Sequence, residues 1–397
     1  ETAGLLASLA TFGAGFAIRP LGALVFGRLG DRVGRKQTFL ITIVLMGLST
    51  ALVGLLPTFE TIGWWAPALL VLLRLVQGLA LGGEFGGAAV YIAEHCPKHQ
   101  RGYYTAWIQT TGTMGLVLSL LVILICRGSM SEADFRDWGW RIPFLGSTLL
   151  LFLSVYIRSK LGESPMFAKL KEQGRLSKAP ISESFGSGAN HHRVVAALII
   201  GAAMALIWYT AQFYSLVFLQ TTLKVDSFTA PLLTVCALVL GVPLFLASGA
   251  LADRIGRKPV MLAGMLLAAL CFIPAYRAIG ALAPIPALDS LASVSWVHVQ
   301  VVGIMLMMVF AAALACGPGA AFMAELFPTR IRYTSLSLPY HLTSAWFGGF
   351  MPFVTSALTA RSGDPYAGLW YPVGVAAVCL LLAIRYVPET VLMKHDD

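Results

Sequence analysis

The sequence predicts an all-α membrane protein built from two pseudo-symmetric helical bundles, and three observations carry that expectation. The first is composition: 57% of the 397 residues are hydrophobic and only 12% are charged. Mean hydropathy is +0.77, far too apolar for a water-soluble chain of this size. The second is a series of apolar runs close to the ~20 residues that cross ~30 Å of hydrocarbon. The third is an internal duplication. The stretch Gly27-Arg28-Leu29-Gly30-Asp31-Arg32-Val33-Gly34-Arg35-Lys36 returns as Gly249-Ala250-Leu251-Ala252-Asp253-Arg254-Ile255-Gly256-Arg257-Lys258, which sets Asp31 and Asp253 222 positions apart.

Eleven runs qualify as spans: 3–26, 38–56, 67–93, 103–126, 140–158, 194–219, 230–252, 259–279, 297–323, 333–358 and 369–387. Glu1-Thr2 carries neither a cationic n-region nor a cleavage site, so no signal peptide is expected before the first run. Each copy of the repeat is a short cationic connection between two spans. Its glycines permit tight turning, its Asp can cap backbone donors or pair with the basic cluster, and its Arg and Lys residues belong on the cytoplasmic side. Alternating from there leaves only Arg127, Arg136, Arg141, Lys224, Arg277 and Arg361 outside, with Arg19 and Arg74 inside spans. The C-terminus then lies in the cytoplasm and the N-terminus outside.

Residues 159–193 are polar and rich in Lys, Gly and Ser, and read as a cytoplasmic linker with a short amphipathic helix around 165–174. They divide the chain into a five-span bundle, 1–158, and a six-span bundle, 194–397.

Several function classes are excluded. The net charge of +9 suggests nucleic acid, but the basic residues sit in short loops and form no stripe interleaved with exposed aromatics. Six cysteines (Cys96, Cys126, Cys236, Cys271, Cys316 and Cys379) show no CxxC or Cys/His ligand spacing, so no metal, cofactor or disulfide framework is expected. No nucleophile elbow or phosphate loop is present, which argues against an enzyme and against ATP as the energy source.

Polar residues at membrane depth mark function by default. Glu84 lies deep in the third run, with Gln77 seven positions earlier on the same face and Arg74 three before that. Arg19 lies in the first run. Arg19 and Arg74 are expected to make a central cavity positive, one or both gripping an organic anion through the guanidinium fork. For Arg74 a second reading stands beside it, a structural, snorkelling arginine. In the second half Tyr209, Gln212 and Tyr340 are expected to line the cavity opposite, with Trp208, Tyr214 and Trp346 nearby, although core packing is the commoner use of such aromatics. His341 is read as a pH-sensing group or as a satisfied interhelical histidine, the latter being commoner.

The repeated loop resembles the cytoplasmic signature of the major facilitator superfamily, found there between the second and third helices and again between the eighth and ninth. Glu94/Arg101 and Glu325/Arg332, each seven residues apart and separated by 231 positions, form a second echo. With Asp31, Arg35, Asp253 and Arg257 they resemble the family's intracellular charge network, which ties helices together when the cytoplasmic side is shut. Arg74-x-x-Gln77-Gly78 followed by Gly82-Gly83-Glu84-Phe85-Gly86-Gly87-Ala88 resembles the fourth-helix signature of the metabolite:proton symporters, the branch similar to carriers of α-ketoglutarate, citrate, shikimate and proline/betaine. Arg19-Pro20-Leu21-Gly22, Asp137-Trp138-Gly139-Trp140-Arg141-Ile142-Pro143-Phe144 and Glu163-Ser164-Pro165 are further matches.

The resemblance implies a twelve-helix fold whose first helix is absent from this chain. It further implies a monomeric, proton-coupled carrier of the bacterial inner membrane, importing a small organic acid by alternating access; Glu84, a carboxylate in a cavity alternately wet and dry, is read as the proton-coupling group or as a permanently protonated or Arg-paired structural glutamate. A facilitator or exchanger of a betaine-like osmolyte and a non-transporting sensor are the alternatives.

Overall fold

The computed structural model describes residues 2–160, 162–186, 188–288, 293–391 and 393, so Glu1 of the signal-peptide argument lies outside the described residues. Each of the eleven apolar runs forms a helical rod. They are α1 (Thr2–Ala17 and Arg19–Arg32), α2 (Arg35–Gly54), α3 (Trp65–His95), α4 (Arg101–Ser129) and α5 (Arg141–Lys160). After the linker come α6 (Gly188–Trp208, continued by π-helical turns Tyr209–Tyr214 and Phe218–Thr222), α7 (Thr229–Ile255), α8 (Arg257–Ala281) and α9 (Trp296–Cys316 and Gly319–Leu326). The last two are α10 (Arg332–Thr343, Ser344–Gly349 and Met351–Ser362) and α11 (Trp370–Tyr386).

Among the described residues ten helices are long and apolar enough to cross a membrane, and α10 is the rod that falls short. Its polar residues Thr334, Ser335, Ser337, His341, Thr343 and Ser344 are all buried inside the protein. A polar surface is tolerated at membrane depth where it faces protein rather than lipid. At the other extreme, α5 has no buried residue and presents Leu149, Phe152, Leu153 and Ile157 outward.

Packing follows the duplication. The first five rods pack through α1–α3, α2–α3 and α2–α5; the last six through α6–α10, α6–α11, α7–α9, α8–α9 and α8–α11. The two sets meet along two seams, α4 against α7 and α1 with α3 against α10. The small-residue stripe of α3 makes close approach possible: a side chain at Gly78 would overlap the Gly15 carbonyl of α1, and one at Gly22 the Leu79 carbonyl of α3. In the repeated loops, Gly34 (φ 129°) and Gly256 (φ 103°) occupy matching positions in backbone conformations that L side chains rarely adopt. In the linker, Pro165–Glu172 forms the expected short helix, its start capped by Ser164 Oγ, which accepts from the Phe167 N–H at 3.3 Å.

Candidate functional site

A cavity of about 490 Å³ lies where both halves meet, and six rods deliver its polar groups, α4 among them with Trp107, Gln109 and Thr111. Arg19 comes from α1, Glu84 from α3, Arg158 from α5, Trp208 and Tyr209 from α6, and Tyr340, His341 and Ser344 from α10. Glu84 stands eleven residues before His95, the end of α3, or ~16 Å along the helix.

The Arg19 guanidinium lies over the Phe16 ring, 3.3 Å from its centroid. Tyr209 meets the same ring edge-on at 5.6 Å. Arg19 Nε has no hydrogen-bond partner and the side chain pairs with no carboxylate among the described residues. The two ring nitrogens of His341 and Trp208 Nε1 are likewise buried without partners. The expectation of a satisfied interhelical histidine is therefore corrected: His341 makes ring contacts with Phe85 and Tyr340 and no hydrogen bond. Such nitrogens are free to bond a polar ligand or water that enters the cavity.

Glu84 is paired, but not with Arg74. Arg158 Nη2 donates to Glu84 Oε1 at 2.6 Å, with both side chains about one-fifth exposed (22% and 21%). Arg74 instead donates to Gln77 Oε1 at 3.1 Å, and Gln77 Nε2 donates to Thr50 Oγ1 at 3.1 Å. That chain ties α3 to α2. Neither residue lines the cavity. Gln212 is fully buried on the α4–α6 contact, its carbonyl accepting from Thr113 Oγ1 at 3.0 Å while its amide nitrogen finds no partner. It too lies off the cavity lining, whereas Arg19, Glu84, Tyr209 and Tyr340 are on it. Tyr340 stacks flat against Phe85 across the seam, ring centroids 3.5 Å apart.

The charged residues of the repeated loops converge on one face, here called the basic face. Asp31 pairs with Arg35 at 3.2 Å, Arg35 approaches Glu94 at 3.9 Å, and Arg332 reaches the same Glu94 at 3.3 Å from the other half. In the second copy Arg257 pairs with Asp253 at 2.6 Å and Glu325 at 3.1 Å. Both aspartates also cross a seam. Asp31 accepts from the Thr334 N–H and hydroxyl at 2.9 and 2.8 Å, and Asp253 accepts from the Gly102 and Tyr103 N–H groups at 2.8 Å each. Arg101 turns to the Ala93 carbonyl at 3.0 Å, as Arg332 does to the Phe327 carbonyl at 3.1 Å, each bracing its own loop.

A third echo of the duplication completes this face. Glu163 accepts from the backbone N–H groups of Arg35 and Lys36 at the start of α2, and Glu389 from those of Arg257 and Lys258 at the start of α8. A carboxylate on exposed N-terminal donors is favourable. Ser164 Oγ donates to Glu94, and Thr390 Oγ1 donates to Glu325 at 2.8 Å. The sequence signal was available: Glu163-Ser164 and Glu389-Thr390 are 226 positions apart, between the other two offsets. Arg158 had no comparable signal, since it sits at the polar end of its span.

The chain matches the family model described as Major Facilitator Superfamily over residues 1–338. It is 34% identical to the shikimate transporter of Escherichia coli, the match covering 99% of this chain and 85% of that protein. It is 31% identical to the citrate-proton symporter of Klebsiella pneumoniae (97% and 83% covered) and 33% identical to the proline/betaine transporter of Escherichia coli (96% and 74%). Its fold is similar to that of the proton:xylose symporter XylE bound to 6-bromo-6-deoxy-D-glucose, with TM-score 0.75 over 97% of this chain and 87% of that one at 20% identity.

Proposed function

We propose that this chain, which belongs to the Major Facilitator Superfamily, is a proton-coupled secondary active transporter that imports a small organic acid by alternating access. The observation that carries the reading is the cavity between the halves. It holds one guanidinium, Arg19, without a carboxylate among the described residues, and beside it the separate Glu84–Arg158 pair. A cation with no carboxylate partner, beside the unpaired nitrogens of Trp208 and His341, favours an anion. A carboxylate at one-fifth exposure, open to the same cavity, is placed to take up a proton.

In this reading residues 1–158 and 194–397 are the moving bundles and 159–193 joins them. They rock about the cavity, and the carboxylate network of the basic face seals one side while the other is open. The similar proteins named as citrate-proton symporter and shikimate transporter support proton coupling and an acid cargo. The proposed setting is a bacterial inner membrane, with the basic face and C-terminus in the cytoplasm and the chain acting as a monomer. A betaine-like zwitterion is the second reading, favoured by the aromatic lining of Phe85, Tyr340 and Trp208, which suits a quaternary ammonium group.

Uptake by proteoliposomes under an imposed pH gradient tests both. Accumulation of shikimate or citrate, abolished by collapsing the gradient, supports the acid reading. Accumulation of glycine betaine with no acid uptake overturns it.

A further inference from the structure

We propose that the cargo is a hydroxy acid and that His341 is the residue that reads its hydroxyl, with the carboxylate lying toward Arg19 and the Trp208 indole. The step rests on the acid-carrier reading above and narrows its cargo. A contrast between two histidines carries it. His298 and His341 are equally buried, each 2% exposed. His298 spends both ring nitrogens: Nδ1 accepts from the Ser295 N–H at 2.9 Å, and Nε2 donates to the Pro286 carbonyl at 2.9 Å. His341 spends neither, and it lines the cavity.

The His341 ring is oriented by its neighbours rather than by hydrogen bonds. Tyr340 meets it edge-on, centroids 5.1 Å apart and planes at 84°, and Phe85 of α3 does so at 6.5 Å and 90°. Such contacts fix the plane of the ring and leave its nitrogens to a ligand. Three other buried polar side chains of α10 find protein partners instead. Thr334 Oγ1 donates to Asp31, Ser335 Oγ to Ser184, and Thr343 Oγ1 to the Pro339 carbonyl. Arg19 stands close enough for its charge to act on His341, so one small molecule can touch both.

A count of donors and acceptors gives the chemistry of the cargo. Arg19 is already a cation in this cavity, and among the described residues no carboxylate pairs with the His341 ring, so the neutral imidazole is the form that costs least to bury. It presents one N–H donor and one bare acceptor nitrogen. Arg19 Nε and Trp208 Nε1 add two donors, one of them on a cation. The complement is an anion that accepts from these donors and also brings a donor of its own. An ionised carboxylate has no proton to give, a ketone is an acceptor only, and a quaternary ammonium group is neither donor nor acceptor. An ammonium N–H would donate, but it sets a second cation beside Arg19. An alcohol supplies what remains: its O–H donates to the bare nitrogen of His341, while the carboxylate accepts from Arg19 and Trp208.

The test is calorimetric binding of matched acids to the purified full chain: malate against succinate, citrate against tricarballylate, and shikimate against cyclohexene-1-carboxylate. The members of each pair differ in hydroxyl groups alone. Wild type is expected to bind the hydroxylated member of at least one pair roughly tenfold more tightly. His341→Phe keeps a ring in place and is expected to bind both members of that pair alike, at the affinity wild type shows for the plain acid. His341→Gln, which keeps a donor and an acceptor, is expected to retain part of the preference and guards against a folding defect of the first variant. Trp208→Phe is expected to weaken both members equally; a loss confined to the hydroxylated member overturns the placing of the two ends. Equal or weaker binding of the hydroxylated member in every pair by wild type, or a preference that survives His341→Phe intact, overturns this step alone. Binding of none of the six acids by wild type overturns the acid-carrier reading and this step with it.

Discussion

Replacing Asp253 by Asn is expected to loosen the seal on the basic face, and the native Cys96 thiol reports it. The Asp253 carboxylate accepts from Gly102 N–H and Tyr103 N–H at 2.8 Å each, tying α7 to α4, and from Arg257 at 2.6 Å. An amide keeps one acceptor oxygen and turns its NH₂ toward a donor, so one charge-assisted bond is lost at a cost of ~1.5–3 kcal/mol. Arg257 retains Glu325 at 3.1 Å, so no cation is orphaned. In an open state water satisfies the same groups, and the cost falls on the closed state alone. A loss of ~2.5 kcal/mol moves the closed-to-open ratio by roughly 70-fold.

Cys96 follows the end of α3 on the basic face and is half-buried. Burial pushes its thiol above the ordinary value, against the opposing pull of Arg101. The thiolate is the nucleophile, so a raised value means slow alkylation while the face is closed, and opening restores both access and thiolate. Maleimide labelling of proteoliposomes, quantified cysteine by cysteine by mass spectrometry, is expected to show Cys96 reacting tens of times faster in Asp253→Asn. Buried Cys126, Cys316 and Cys379 are the internal controls and stay unchanged. An unchanged Cys96 rate refutes the reasoning; a rise at all four cysteines means general loosening, not opening of this face.

Three further outcomes follow from the packing. Arg74→Lys is expected to leave apparent uptake affinity within about twofold of wild type, because Arg74 binds Gln77 away from the cavity; flux measurements across a substrate series check it. Gly78→Leu, whose side chain meets the Gly15 carbonyl, is expected to lose more than ~3 kcal/mol through overpacking, seen as a collapsed melting transition in detergent. Ser164→Ala removes both a helix cap and the hydroxyl on Glu94, at ~1–2 kcal/mol. Thr390→Ala removes the matching hydroxyl on Glu325 and should destabilise less, since no cap is lost; parallel denaturation curves compare the two.

What was legible in the sequence was local or repeated. The Asp31 and Asp253 loops, the Glu94 and Glu325 loops and the glycine stripe of α3 carry their meaning in short spacings, and the structure brings each to a contact. The pairing of Glu84 was not legible in this way. Arg74 is its neighbour in sequence, but ten residues along one straight helix is ~15 Å, beyond the reach of a salt bridge. The true partner is 74 positions away at the end of another helix, and no periodicity links them. Gln77 and Gln212 share the cavity's polarity but spend it on Thr50 and Thr113 between helices. Helical register alone does not say which neighbour a side chain will find.

The weak hydropathy of α10 and the chemistry of the seams have one physical origin. A seam that must open and close cannot be made only of tightly interdigitated apolar groups, because separating them forfeits contacts that nothing on the wet side replaces. Hydrogen bonds exchange with water at a net ~0.5–1.5 kcal/mol each, small enough for two states to stay within reach of a ligand's differential binding. The seams use that currency: Asp31 to Thr334, Asp253 to Gly102 and Tyr103, and Tyr333 Oη to the Gly83 carbonyl at 2.5 Å. Thr334 on this seam is one of the polar residues that keep α10 below the hydropathy of its neighbours, while Ser335 meets Ser184 of the linker. A helix too polar for lipid is thus the one suited to a moving boundary, and Thr334→Val, which takes the hydroxyl donor from buried Asp31, is expected to weaken the closed seam by ~1.5–3 kcal/mol, read as faster maleimide labelling of Cys96 on the same face.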